Sequence, residues 1–271
     1  MLFDIFRHKR ILLGAAAGAV AVILTAAFAV GTAAEETLPQ QYEIPVLAYK
    51  ADGDSCFDAE KVEADIRQLI NRGYTPIFAS QATQSCHGGG MLPKKPVILS
   101  FGGNLSEYHS KLFPLLVRYR FKAVISVNGR QTELASNSAD DNTSHLRWEQ
   151  IQQMHDSGLV EFSNGTFSYP GSDGYGQKEN ESPEEYRGRL IADIDRLQML
   201  FNQYCGFEPK VFCYPGEANE ACVQAVSDLG FKAALCRADD NAKVYMPYRH
   251  SSLKIPQINA NSFADIKELL K

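Results

Sequence analysis

The sequence lacks several short motifs that mark common classes of protein. It contains no Cys-x-x-Cys pair, which excludes the usual zinc-ribbon and thioredoxin-like arrangements. The glycine pair Gly102-Gly103 belongs to neither of the two glycine patterns typical of nucleotide-binding loops. No block rich in lysine or arginine follows residue 34, and the whole chain has a formal net charge of −5. Nucleic acid is therefore not an expected partner, because its binding depends on neutralising phosphates.

One long uncharged run lies near the N-terminus, in residues 11–34, and a short basic segment, residues 1–10, precedes it. As a helix this run is roughly 36 Å long, enough to cross a hydrocarbon core of about 30 Å. The basic segment predicts a single-pass cell-membrane protein whose remaining residues are extracytoplasmic. Small-residue patterns at 27–29 and 31–33 leave a cleaved signal peptide as the alternative, and the domain is then secreted.

After a polar tether, residues 35–41, strand-like and helix-like segments alternate throughout residues 42–271. The predicted strands are 44–49, 74–78, 97–101, 121–127, 159–162, 211–214 and 231–236. The predicted helices are 57–72, 106–119 (interrupted at Pro114), 146–155, 182–204, 218–229 and 262–270. This alternation predicts one α/β domain, a barrel of mainly parallel strands with outer helices.

The carboxyl ends of the strands are where such a barrel carries its functional groups. The residues at those ends are Gly102-Gly103-Asn104, Asn128, Asn164-Gly165 and Tyr214-Pro215-Gly216. The strand that ends at Phe101 thus delivers two glycines, which have no side chain able to take part in catalysis.

Five stretches of the chain have the order and character of one known family. They are IPVLAYK (44–50), the long block from Lys95 to Gly129, LRWEQIQQMHDSGLVEFSNGTFSY (146–169), VFCYPGE (211–217) and DLGFKAALC (228–236). Together they resemble the polysaccharide deacetylases, the NodB homology domains of carbohydrate esterase family four. The resemblance implies a NodB-like distorted (β/α) barrel over most of the domain.

The resemblance also implies a chemistry, and the residues that should perform it. In the family an Asp and two His hold a divalent metal such as zinc, and a second Asp acts as the base on metal-bound water. Aligned on these motifs, the base position is Gly102 and the metal positions are Gly103, Gly165 and Tyr169, or Pro170 with one more residue of spacing. The sequence therefore predicts no bound metal, no catalytic residue and a pseudoenzyme.

Two alternatives would preserve catalysis. A metal site could have moved to other histidines, the candidates being His87, His109, His145, His155 and His250. A second catalyst could be Cys213 with His250 as its base. The interpretation favoured for Cys213 is a disulfide with Cys236, because their strands are expected to be neighbours.

Without catalysis, the site could still bind a glycan such as peptidoglycan or another polysaccharide. Aromatic and amide side chains hold sugars by stacking and hydrogen bonding. The residues expected to line such a cleft are Phe101, Asn104, Asn128, Thr166, Phe167, Tyr169 and Tyr214. The alternative for the individual residues is that Phe101 and Tyr214 belong to the core and that Trp148 packs its helix on the barrel. The competing hypothesis for function is a membrane-tethered scaffold that uses the polar segments 131–143 and 171–182.

Overall fold

The computed structural model describes residues 44–49, 57–86, 90–140, 142–168, 175–239, 252–263 and 265–268. All of them belong to one compact unit of the chain, residues 41–271. The predicted membrane span at 11–34 lies outside the described residues, as do Tyr169, His87 and His250. Among the helices that are described, none is both long and apolar enough to cross a membrane.

The strands form a closed parallel barrel. They are β1 (Val46–Tyr49), β2 (Thr75–Pro76), β3 (Pro96–Phe101), β4 (Ala123–Val127), β5 (Val160–Asn164), β6 (Val211–Cys213), β7 (Ala233–Asp239) and β8 (Ile255–Asn259). Every strand pair is parallel, in the order β1-β8-β7-β6-β5-β4-β3, and β1 pairs again with β3 to close seven strands. The short β2 pairs with the start of β3. The predicted parallel barrel is confirmed, and its carboxyl ends meet at one rim.

Seven α-helices are described around these strands. They are α1 (Ala59–Asn71), α2 (Ala79–Cys86), α3 (Phe113–Tyr119), α4 (Gly129–Ser136), α5 (Trp148–Asp156), α6 (Pro183–Cys205) and α7 (Glu220–Asp228). A π-helical turn, Tyr108–Leu112, leads directly into α3, where Pro114 stands in the first turn. The predicted break near Pro114 is thus a change of helix type, since proline has no N–H to donate within a helix.

The long helix α6 begins and ends as its sequence predicts. Ser182 accepts a hydrogen bond from the Glu185 backbone, and the Glu185 side chain accepts one from the Ser182 backbone. Pro183 occupies the first turn, where its missing N–H costs nothing. At the other end Gly206 has a left-handed φ of 72°. The local signals of a capping box and a terminal glycine are sufficient to fix this helix.

Three parts of the fold differ from the sequence prediction. The segment predicted as a polar loop, 131–143, begins within helix α4, which Asn128 caps by accepting a hydrogen bond from the Gln131 backbone at 3.1 Å. The described part of the predicted closing helix, 262–270, holds only short 3-10 turns at Ala260–Ser262 and Ile266–Glu268. Helix α2 and strand β8 were not predicted, because each is short and has no strong periodic pattern.

The N-terminus of helix α2 contacts a carboxylate on strand β5. The partly buried carboxylate of Glu161, on β5, accepts a hydrogen bond from the Ser80 backbone at 3.3 Å. A carboxylate at a helix N-terminus satisfies unpaired N–H groups there. Residue 80 and residue 161 are far apart in sequence, so the contact cannot be inferred from local pattern.

The core occupies the barrel and the layer between barrel and helices. Trp148 is buried, lies edge-on to Phe201 at 5.4 Å and stacks on Tyr204 at 5.3 Å. These contacts confirm the prediction that Trp148 packs its helix, and they join α5 to α6. A second cluster, around Tyr186 and Phe212, fills the space between α6, α7 and the strands β6 and β7.

Candidate functional site

The rim at the carboxyl ends of β3, β4 and β5 brings together most of the positions that the resemblance assigns to catalysis. Gly102 and Gly103 follow β3, Asn128 follows β4, and Gly165 follows β5. In a parallel barrel these ends lie side by side, which is why distant stretches of sequence meet there. The fourth assigned position, Tyr169, and its alternative Pro170 lie outside the described residues.

The end of β3 is held by its backbone. The N–H of Gly102 donates to the carbonyl of Tyr49 at 3.1 Å, and the Tyr108 hydroxyl donates to the carbonyl of Gly102 at 2.5 Å. Gly103 is exposed, and a Cβ added there would meet no atom within 4 Å. Its φ of +94°, however, is a conformation that side chains strongly disfavour. Position 103 has room for a side chain, but its backbone conformation favours glycine.

Asn104, the next residue, is buried and ties the end of β3 to helix α4. Its Nδ2 donates to the Thr132 hydroxyl at 2.8 Å, and its Oδ1 accepts from the Asn128 backbone at 3.5 Å. The Asn104 carbonyl accepts from the Leu146 backbone at 2.9 Å. Its φ of 36° is positive, which asparagine tolerates better than most residues. Asn104 is therefore engaged with its own protein.

The end of β5 is closed by packing. A Cβ added to Gly165 would lie 2.4 Å from the Ser126 hydroxyl and 2.8 Å from the Val127 carbonyl oxygen, both on the neighbouring strand β4. The Gly165 N–H already donates to that carbonyl at 2.9 Å. No side chain fits at position 165 without a shift of β4 or β5, because real Cβ atoms do not approach backbone atoms so closely.

A hydrogen-bond network fixes the residues around Gly165. The amide of Asn164 donates to the Ile194 carbonyl at 2.9 Å and to Gln198 at 3.1 Å, and its oxygen accepts from the Thr166 backbone at 2.9 Å. Thr166 is fully buried with a φ of 75°, which is an outlier for a β-branched residue. Asn164 therefore anchors the strand end to helix α6.

One carboxylate continues this network. Asp193 accepts hydrogen bonds from the backbone of Phe167 at 2.8 Å and of Ser168 at 3.0 Å. Asn164 and Asp193 were not among the predicted site residues. For Asn164 the signal was its place at a strand end, whereas for Asp193, inside helix α6, the sequence gives no local signal.

The described donors do not fit the metal that the family uses. Glycine at positions 102, 103 and 165 supplies no ligand atom, and zinc requires three or four nitrogen, sulfur or oxygen ligands. Within the described part of the chain, no three side chains of His, Cys, Asp or Glu form a cluster suited to a metal. We therefore derive no reaction step through a metal at this rim.

The described histidines lie apart from one another. His109 is hydrogen-bonded to Gln153 at 2.8 Å, and His155 stacks on Phe207 with ring centroids 3.7 Å apart. Burial lowers the pKa of both His145 and His155, which favours the neutral imidazole. The structure does not bring these three together into a relocated site. His87 and His250 lie outside the described residues, so a site that uses them stays a prediction.

The predicted glycan cleft is not an open surface where it is described. Phe101 is fully buried and stacks on Tyr49 at 5.0 Å, and Tyr214 is buried with its hydroxyl donating to the Leu253 carbonyl at 3.1 Å. Of the other predicted lining residues, Asn104, Thr166 and Phe167 are buried, and Asn128 is the helix cap described above. Successive side chains of a strand point to opposite faces, and the buried residues named here face the core.

The predicted disulfide is not formed in the structure. Cys236 carries a free thiol, and burial raises its pKa to about 11 with a further contribution from nearby Cys213. Register gives the reason, since Cys213 pairs with Leu235 across the β6–β7 ladder. Cys236 is one residue further along, and successive strand residues face opposite sides of a sheet.

A groove adjoins this site, between α4, α6 and the residues that follow β5. Its volume is about 390 Å³, and it is lined by Arg130, Glu133, Leu134, Asn137, Phe167, Ser168 and Arg196. It begins two residues from Gly165, at Phe167. Of its residues only Phe167 was predicted to belong to the site. Helix α4 was taken for a loop, so the side chains that it presents here were missed.

The similarities to known proteins agree with this architecture. A family model of polysaccharide deacetylases matches residues 89–234, more than half of the chain. The poly-beta-1,6-N-acetyl-D-glucosamine N-deacetylase of Escherichia coli (strain K12) is 24% identical over 192 aligned positions, and the match covers 60% of this chain and 28% of that protein. The chain thus spans little more than a quarter of the length of the curated relatives it matches.

Solved structures share the fold at low identity. A de-N-acetylase from Aggregatibacter actinomycetemcomitans has a TM-score of 0.68 at 20% identity, covering 85% of this chain and all of its own. IcaB from Ammonifex degensii also has 0.68, at 18% identity, over 85% of this chain and 96% of its own. The Streptococcus pyogenes deacetylase PplD has 0.65 at 16% identity, over 81% and 93%. From the family match and the shared barrel, the chain belongs to the polysaccharide deacetylase family.

Proposed function

We propose that this protein is a non-catalytic member of the polysaccharide deacetylase family that binds a polysaccharide outside the cytoplasm. The observation that carries the loss of catalysis is the packing of Gly165, where a Cβ would lie 2.4 Å from the Ser126 hydroxyl. A histidine at this position would need a different arrangement of β4 and β5. The glycines at 102 and 103 add that no carboxylate is present for the base or the metal.

The choice of ligand rests on the family and its relatives. The curated relatives act on poly-beta-1,6-N-acetyl-D-glucosamine by their names, and a cell-surface polysaccharide is the ligand class proposed here. The uncharged run at 11–34 supports attachment to the cell membrane, with the barrel on the extracytoplasmic side. A protein so placed meets cell-wall and secreted polysaccharides directly.

A scaffold function is the second candidate, because one observation favours it. Three of the four aromatic residues expected to stack on sugar are described, and all three, Phe101, Phe167 and Tyr214, are buried. A sugar-binding surface must then use other side chains, whereas a protein-binding scaffold needs none at this rim. The two candidates differ in whether the purified protein retains polysaccharide.

The test uses the full-length protein purified in detergent. We expect no release of acetate or of free amine from β-1,6- or β-1,4-linked N-acetylglucosamine oligomers, with or without added zinc, and retention of the protein on one of the polymers. Zinc-dependent, chelator-sensitive deacetylation would contradict the loss of catalysis and indicate a relocated site. Absence of retention on any polysaccharide would favour the scaffold.

A further inference from the structure

The groove beside the strand ends contains two arginines with different surroundings. The guanidinium carbon of Arg196 lies 3.5 Å from the centroid of the Phe167 ring, and its side chain is 54% exposed. Stacking on the ring fixes the plane of the guanidinium and leaves its edges able to donate. Arg130, in the first turn of α4, is exposed, and no described residue accepts a hydrogen bond from its guanidinium.

The acidic groups near these arginines are weakly placed to neutralise them. Glu133 contacts Arg196 at 3.6 Å, longer than a good hydrogen bond, in a pair that is open to solvent. Asp193 is committed to the backbone N–H groups of Phe167 and Ser168. Among the described residues no acidic group pairs with Arg130, and a ligand anion can replace the long Glu133 contact of Arg196 at little cost.

The remaining surfaces of the groove suit a sugar. Leu134 is 61% exposed and supplies an apolar face, while Asn137 and Ser168 offer donors and acceptors for hydroxyl groups. A volume of about 390 Å³ is at the small end of ligand sites, enough for one or two sugar rings. The groove lies at the carboxyl rim, because Arg130 directly follows the turn after β4 and Phe167 follows β5.

We propose that this groove is a binding site for an anionic saccharide, with Arg130 and Arg196 holding a carboxylate or phosphate group on the sugar. Arginine suits this task because its planar fork donates two parallel hydrogen bonds to either group. The proposal rests on the polysaccharide-binding function proposed above and makes it specific: the preferred polymer carries negative charge although the protein itself is acidic.

The experiment measures binding of the full-length protein in detergent to three probes of similar length. They are oligogalacturonate, which carries carboxylates, an N-acetylglucosamine 1-phosphate oligomer, which carries phosphates, and a neutral N-acetylglucosamine oligomer. We expect one of the charged probes to bind at least tenfold more tightly than the neutral one, and its identity decides between carboxylate and phosphate. That binding should weaken as salt is raised, because the contacts are solvent-exposed.

Two variants test the arginines. Arg130→Gln removes a guanidinium that has no hydrogen bond or ion pair with a described residue, so the variant should fold normally and bind the charged probe about tenfold or more weakly. Arg196→Lys keeps the charge and loses the fork and the stacking, and should also weaken it. Arg118→Gln is the matched control, since Arg118 is 62% exposed and contacts Glu63 on another face. This control should bind like the unaltered protein.

The outcomes separate this proposal from the function on which it rests. Binding of the neutral probe as tight as that of both charged probes, or charged-probe binding unchanged in Arg130→Gln, would overturn the anionic site and leave polysaccharide binding intact. Failure of all three probes to bind would overturn both.

Discussion

The ends of strands β3 and β5 both present glycine where the family resemblance assigns metal ligands, yet the structure accommodates these glycines differently. At Gly103 there is space around the missing side chain, and the obstacle is a backbone φ of +94°. At Gly165 the obstacle is the neighbouring strand itself, whose Ser126 hydroxyl and Val127 carbonyl occupy the space. The end of β3 could accept a carboxylate at the cost of local strain, whereas at the end of β5 a side chain would clash with β4.

The comparison separates a glycine favoured by its backbone conformation, Gly103, from a glycine favoured by packing against the next strand, Gly165. Around Gly165 the anchor Asn164 and the strained Thr166 are fully buried. Gly103 itself is exposed and the adjacent Gly102 is partly buried, whereas Asn104 is buried. Substitutions at the β5 end should therefore affect stability more than those at the β3 end.

The largest effect is expected for Asn164→Ala. This change removes two buried hydrogen bonds, to the Ile194 carbonyl and from the Thr166 N–H, and a partly buried one to Gln198. We expect a loss of roughly 3–4 kcal/mol in the free energy of unfolding, since each orphaned buried group costs about 1–3 kcal/mol. Urea unfolding followed by circular dichroism measures it, and a loss below about 1 kcal/mol would contradict the anchoring role.

A smaller loss is expected for Gly165→Ala. The added Cβ alone meets Ser126 and Val127, so we expect about 2 kcal/mol of destabilisation, as for other overpacked cores. Gly165→His should be at least as destabilising. Gly188→Ala is the matched control, because Gly188 lies in helix α6 with open space around it and should gain up to about 1 kcal/mol. If Gly165→Ala and Gly188→Ala were equally stable, position 165 would have room for a side chain.

Gly103→Asp should cost less than Gly165→Ala. The expected loss is about 1 kcal/mol, because the only penalty is a left-handed backbone conformation that aspartate adopts better than most residues. The same urea titration measures the change. A loss greater than that of Gly165→Ala would reverse the comparison between the two strand ends.

The smallest effect concerns the opposite end of the barrel and depends on pH. Burial raises the pKa of Glu161 above its ordinary value, so the folded protein holds this proton more tightly than the unfolded chain. The stability that this carboxyl contributes is present at low pH and is lost as pH rises through its folded pKa. Glu161→Gln keeps an oxygen for the Ser80 N–H and should be slightly more stable than the unaltered protein at pH 7.

That advantage of Glu161→Gln should shrink towards pH 4, where the glutamate itself becomes neutral. Thermal unfolding at a series of pH values measures it. A variant that is less stable at pH 7 than at pH 4, relative to the unaltered protein, would show that the charged carboxylate is favoured at the start of α2.

Local signals in the sequence predicted much of the fold. Ser182, Pro183 and Glu185 fixed the start of α6, and the alternation of segments indicated a parallel barrel, which is confirmed. Two short helices were not predicted. The carboxylate that caps α2 belongs to Glu161, which is distant in sequence, and α4 has a single local cap at Asn128. The boundaries of the domain, and the membrane span at 11–34, stay predictions.

The site was harder to predict than the fold. Motif order located the strand ends correctly, so Gly102, Gly103 and Gly165 meet at one rim as expected. Which side chains face solvent there depends on strand register, and so Phe101 and Tyr214 were expected in a cleft and lie in the core. The lack of space at Gly165 is caused by atoms of β4. The spacing of residues in the sequence does not reveal where those atoms lie.

We propose that the rim at the ends of β3 and β5 holds no metal, and titration of the protein with zinc by calorimetry tests this proposal. The sample is the full-length protein in detergent, stripped with a chelator and compared with buffer alone. We expect no stoichiometric binding in the micromolar range. One zinc bound per chain at micromolar affinity or tighter would contradict it and show that ligands other than those at positions 102, 103 and 165 form a site.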